Sequence, residues 1–151
     1  MFKDEIQFEV AAGKGGNGAV SFHREKFVPR GGPDGGDGGD GGDVVLKASR
    51  HHNSLIHLAG KRTWRALDGQ GGMGQMASGR AGADLVLEVP IGTQVFDAVH
   101  GNLLRDLTTD GMTLVVAKGG KGGLGNARFA TATRQTPRFA GDGRPGEERE
   151  V

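Results

Sequence analysis

A strict three-residue period dominates this chain. From Gly31 to Asp43 it reads Gly-Gly-Pro-Asp-Gly-Gly-Asp-Gly-Gly-Asp-Gly-Gly-Asp, and 30 of the 151 residues are glycine. The glycines fall in islands at Gly13 to Gly18, Gly31 to Gly42, Gly69 to Gly74 and Gly119 to Gly125. Three residues per turn is the period of polyproline II, a helix without internal hydrogen bonds. Glycine also loses the most backbone entropy when it orders. Such islands hold one shape only when packed on one another, and only glycine lets backbones approach that closely. The pattern therefore predicts a glycine-built extended platform in place of flexible linkers.

Composition bounds what carries the platform. At 151 residues one domain is expected, large enough to bury about two-thirds of its unfolded surface. One Trp, seven Phe and no Tyr limit the core and leave few base-stacking candidates. The absence of cysteine removes disulfides, thiolate metal sites and cysteine nucleophiles, and fits a reducing compartment. No apolar run approaches the length of a membrane span, and Met1 to Glu5 lacks a signal-peptide core, so a soluble, cytoplasmic protein is expected. The net charge of +1 hides an uneven distribution. Lys118 to Arg138 holds five basic residues and no acid, and Arg24 to Arg30 holds three basic residues and one Glu. Two basic runs of this kind suit a polyanion.

Between the islands the pattern is that of short strands. Ile6 to Val10 alternates with period two, Val44 to Ala48 follows the longest island, and Asp84 to Val89 stops at Pro90. Asn53 to Leu58 and Lys61 to Arg65 are expected to pair across Ala59-Gly60. Gln94 to Ala98 is expected to turn through His100-Gly101-Asn102 into Leu103-Leu104, and Met112 to Lys118 reads as the last strand. No window keeps a helical period. The fold class is thus mainly β with very little helix, a small barrel or sandwich.

Lys14 to Phe22 and Lys121 to Phe129 share the pattern K-G-G-x-G-x-x-x-F, each running on to a Pro-Arg pair (Pro29-Arg30, Pro137-Arg138), so the two copies are expected to be structurally equivalent. Both islands also contain G-x-G-x-x-G, but neither opens a βαβ unit, and a dinucleotide site needs the helix that follows. No G-x-x-x-x-G-K-[ST] loop occurs. Asp34, Asp37, Asp40 and Asp43 would stand about 9 Å apart on a polyproline II rise, too far to share a calcium ion, so they are expected to hydrate the platform edge and cap backbone amides. His23, His51, His52, His57 and His100 lack metal-ligand spacing, and Trp64 reads as a core or rim anchor.

Several longer motifs resemble one family. Phe2-Lys3-Asp4-Glu5, Gly13 to Phe22, Arg24 to Gly39, Val89-Pro90-Ile91-Gly92-Thr93 and Ala117 to Phe129 together resemble the amino-terminal domain of the Obg family of bacterial GTPases. The resemblance implies the Obg fold: a small β-barrel base carrying packed polyproline II segments. It makes residues 1–151 the Obg domain, with a GTP-binding G domain expected to follow, holding GTP or GDP and magnesium. This chain itself would hold no cofactor or metal and hydrolyse nothing.

By the same resemblance, the domain docks on the large (50S) ribosomal subunit during late assembly and growth control under stress. Its loops would meet 23S rRNA near the peptidyl-transferase centre, in a manner similar to an A-site tRNA arm. Mapped by motif, the loops are 24–36, 73–83 and 126–138, and the expected RNA contacts are Arg24, Lys26, Arg30, Arg80, Lys121, Arg128, Arg134 and Arg138. Contact through RNA shape and backbone is expected. The alternatives are a module that docks stress-response proteins and a regulator that restrains its own G domain.

Overall fold

The computed structural model describes residues 5–22, 32–129 and 140–150. Eight short strands form the base: β1 (Glu9–Ala11), β2 (Val44–Ala48), β3 (Thr63–Arg65), β4 (Leu85–Val89), β5 (Thr93–Phe96), β6 (Leu103–Leu107), β7 (Thr113–Ala117) and β8 (Glu148–Glu150). They make two three-stranded sheets, β3-β1-β8 and β4-β2-β7, and the β5-β6 hairpin. In each larger sheet the central strand is parallel to one neighbour and antiparallel to the other: β1 to β3 and β8, β2 to β4 and β7. The sheets are open, so the expected barrel is not closed. Strands of three to five residues that run straight into glycine segments leave too little ladder to close one.

The core is drawn from all three sheets. Val10, Val44, Leu46, Leu87, Val89, Val95, Leu107 and Val116 are buried together with Phe8, Leu55 and Leu58. Each such side chain contributes roughly 1.5–3 kcal/mol by leaving water. Trp64 packs against the edge of this cluster, with the Lys61 ammonium 4.8 Å from its ring centre, as an anchor should.

Each strand of the two larger sheets continues into a glycine-rich strut. The struts are 12–19 after β1, 34–43 before β2, 67–73 after β3, 76–84 before β4, 118–126 after β7 and 141–147 before β8. Their hydrogen bonds recur at every third residue. Gly13, Gly16 and Ala19 donate to the carbonyls of Gly42, Gly39 and Gly36. Gly38 and Gly41 donate to Gly123 and Gly120, and Gly79 and Gly82 donate to Asp37 and Asp40. Gly15 and Gly18 donate to Arg144 and Gly141. The repeat length is that of polyproline II. Buried amides here are thus satisfied between segments, not within them.

The central strut 34–43 explains the Gly-Gly-Asp period. A Cβ on Gly35, Gly38 or Gly41 would overlap the carbonyl oxygens of Ala19, Gly16 and Gly13. One on Gly36, Gly39 or Gly42 would overlap those of Ala77, Arg80 and Ala83. Two faces of the threefold segment are pressed on neighbours, and the third carries Asp37, Asp40 and Asp43. The two K-G-G copies lie side by side: Gly120, Gly123 and Asn126 donate to Gly13, Gly16 and Ala19, an offset of 107 that equals the spacing of the repeat.

Two local expectations fail. Residues 53–58 do not pair with 61–65; Ile56–Leu58 is a 3₁₀ turn, and β3 pairs with β1. The Ser54 hydroxyl accepts the Ile56 amide, and such local bonds favour a turn over a ladder. Ile6, Phe8 and Val10 do turn inward as the alternation requires, but regular pairing starts only at Glu9.

Candidate nucleic-acid interface

The register places all loop openings at one end. Ala19 donates to Gly36, Gly36 to Met73, Met73 to Ala77, Asn126 to Ala19, and Gly18 to Gly141. These residues therefore stand at one level, farthest from the sheets. Above them the first loop leaves at Phe22 and returns at Pro33, which are bridged to each other. The second is the tip at 74–76, and the third leaves through the 3₁₀ turn Asn126–Phe129 and returns at residue 140. Three segments distant in sequence thus open on one distal face.

Of the expected contacts, Arg24, Lys26, Arg30, Arg134 and Arg138 lie outside the described residues, within loops whose bases stand on this face. Arg80 and Lys121 are exposed at mid-height on different struts. Their carbonyls accept the amides of Gln70 and Arg144. Among the described residues neither forms an ion pair. Arg128 is also exposed, but its Nε donates to both Asp37 carboxylate oxygens, at 2.8 and 2.6 Å.

The carboxylates cap amides as expected. Asp43, Asp40 and Asp37 accept the backbone N–H of Gly119, Gly122 and Gly125 at 2.7, 2.8 and 2.9 Å. Asp43 pairs with Lys118 at 3.2 Å. Asp34 departs from the expected hydrated edge: it is buried beneath the second loop. Its Oδ2 accepts the Gln75 amide at 3.0 Å and its carbonyl accepts that of Met76 at 2.6 Å. Gln75 and Met76 have φ of 60° and 59°, a left-handed pair that side-chain-bearing residues adopt only when held. The tip is therefore fixed, and it presents Met73 and Met76 to solvent.

Sequence reasoning passed over Asn126. It is fully buried, its Oδ1 accepts the Gly35 amide, and its Nδ2 donates to the Ser21 carbonyl. In the ladder formed by Gly41 to Gly120 and Gly38 to Gly123, the Asn126 side chain replaces the next backbone carbonyl. The signal was present: after Gly120 and Gly123, Asn126 stands where the period calls for a third glycine. The glycines of both G-x-G-x-x-G matches are used in backbone packing, and among the described residues neither match opens an α-helix.

The family model GTP1/OBG matches residues 3–151. The chain belongs to the GTP1/OBG family. It is 53% identical over 150 residues to the GTPase Obg of Syntrophobacter fumaroxidans, covering 99% of this chain and 43% of that protein. To the GTPase Obg of Myxococcus xanthus it is 56% identical over 147 residues, covering 97% and 30%. To that of Clostridium tetani it is 52% identical over 151 residues, covering 100% and 36%. The chain thus spans well under half the length of these GTP1/OBG relatives. Among the described residues no helix is long and apolar enough to cross a membrane.

Proposed function

We propose that this chain is the ribosome-docking module of an Obg-family GTPase, acting on the large subunit late in its assembly and in stress-linked growth control. The single observation that supports this most is the convergence of three loop openings on one distal face, with five basic residues in two of those loops. In this reading the struts are polyproline II segments that hold the loops away from the base. The loops enter 23S rRNA near the peptidyl-transferase centre and engage its backbone, as Arg and Lys engage phosphates. GTP hydrolysis, with GTP or GDP and magnesium, belongs to a separate G domain; this module takes no cofactor or metal and works in the cytoplasm.

A protein-docking role is favoured by a different observation, a cleft of about 770 Å³ in the base lined by Ile6, Phe8, Leu55, Ile91 and Phe96. The two readings use opposite ends of the molecule. The chain has no cysteine, so single tethers are unambiguous. Ser78→Cys, exposed near the distal face, and Thr109→Cys, exposed in the turn between β6 and β7, would each carry an iron chelate that cleaves nearby RNA. Added to large ribosomal subunits, the Ser78 probe is expected to cut rRNA at discrete positions and the Thr109 probe to leave it intact. Cleavage from Thr109 alone, or from neither probe, contradicts docking by the distal face.

A further inference from the structure

The Arg128 guanidinium is already engaged within the platform. Its Nε bonds both oxygens of Asp37, and the same Asp37 Oδ1 caps the Gly125 amide at 2.9 Å. The Arg128 amide itself returns to the Gly125 carbonyl at 3.1 Å. One residue pair thus closes the 3₁₀ turn Asn126–Phe129 onto the central strut, beside the buried Asn126 that ends the glycine ladder. A phosphate approaching Arg128 would meet a cation already paired with the neighbouring Asp37 carboxylate. By contrast, the exposed Lys121 has no ion pair among the described residues.

We propose that Arg128 is a positioning residue and not a phosphate contact: clamped to Asp37, it holds the turn Asn126–Phe129, at the base of the third loop, in place before RNA binds, so that binding need not order it. The inference rests on the RNA-docking reading above and deepens it. Asp37 is the anchor, Asn126 the end stop of the ladder, and Arg128 the strap between them.

The two roles give opposite signs for Asp37→Asn. Asparagine keeps an oxygen for the Gly125 amide and removes the charge that holds Arg128. If Arg128 were a phosphate contact, freeing it would tighten binding to large ribosomal subunits and steepen the log–log salt dependence by about one unit. A positioning role predicts weaker binding with the salt slope unchanged. Arg128→Gln should show the same several-fold loss with the slope again unchanged. The double variant should be no worse than either single one, because the pair acts as a unit. Tighter binding of Asp37→Asn, or a slope lowered by about one in Arg128→Gln, overturns the proposal.

Amide hydrogen exchange provides a readout without RNA. Arg128→Gln should lose protection at Gly125 and Asn126 while the base strands keep theirs; unchanged protection there also overturns the proposal. Should the unaltered chain fail to bind subunits even at low salt, the docking reading falls, and exchange alone decides whether Arg128 holds the turn.

Discussion

Gly38 sits with its α-carbon against the Gly16 carbonyl, and a methyl group there would overlap main-chain atoms that no rotamer change can move. Gly60, in the turn before β3, faces open space. The same substitution therefore has opposite consequences. Gly38→Ala should destabilise by at least about 3 kcal/mol, seen as a fall in Tm of roughly 6–12 °C. Gly60→Ala should be neutral or stabilising by up to ~1 kcal/mol, since it only narrows the unfolded ensemble. Equal losses at the two sites would show that the glycines serve flexibility and not close approach. This division was largely legible in the sequence, because the Gly-Gly-Asp phase states which two faces are pressed and which is open. What each open face bonds to was only partly legible. That Asp37, Asp40 and Asp43 cap amides follows from their phase, but that the caps fall on Gly125, Gly122 and Gly119, 76 to 88 residues away, depends on the strut order. Asp34 has the same phase and a different fate, because the second loop folds over it.

Among the elements, the β5–β6 hairpin is tied to the carboxy-terminal strand through one carboxylate. Asp97 Oδ1 accepts the amides of His100 and Val99, and Oδ2 lies 3.6 Å from the Arg149 guanidinium of β8. The His100 amide, then that of Val99 and the charges of His100 and Arg149, hold the carboxyl below its usual value of 3.8 against the opposing effect of burial. A lowered folded pKa means that the ionised form is stabilised by folding. The contribution is complete above about pH 3.8 and is lost as pH falls through the lowered value. Asp97→Asn should therefore be less stable than the unaltered chain at neutral pH, with the gap in Tm closing below pH 3.8; a gap independent of pH would remove this role. The hairpin was readable from His100-Gly101-Asn102, a polar turn between apolar runs. The strut 141–147 and β8 were not. Gly141, Gly143 and Gly146 do not keep a strict triplet spacing, and the charges around them suggest a solvated tail. They are held by partners found only in three dimensions, Gly15, Gly18 and Lys118.

At the scale of the molecule, two three-stranded sheets extend into two layers of three struts, and the interleaved bonds between layers make the platform one unit. The base buries the apolar core, and the struts convert six strand ends into a raised face bearing the loop openings. Motif resemblance placed the three loops in sequence; their meeting on one face follows from strut register, which the triplet period alone does not give. The central claim is that this face binds ribosomal RNA through loop cations. It is tested most directly by measuring binding of the chain to isolated large ribosomal subunits across a salt titration. A variant with Arg24, Lys26, Arg30, Arg134 and Arg138 all changed to Gln is titrated in parallel. The account predicts that log K falls linearly with log salt with a slope of several units, and that the variant loses most of that slope, at about 0.7–0.9 per phosphate contact removed. Absence of binding at low salt, or an unaltered slope in the variant, would contradict it.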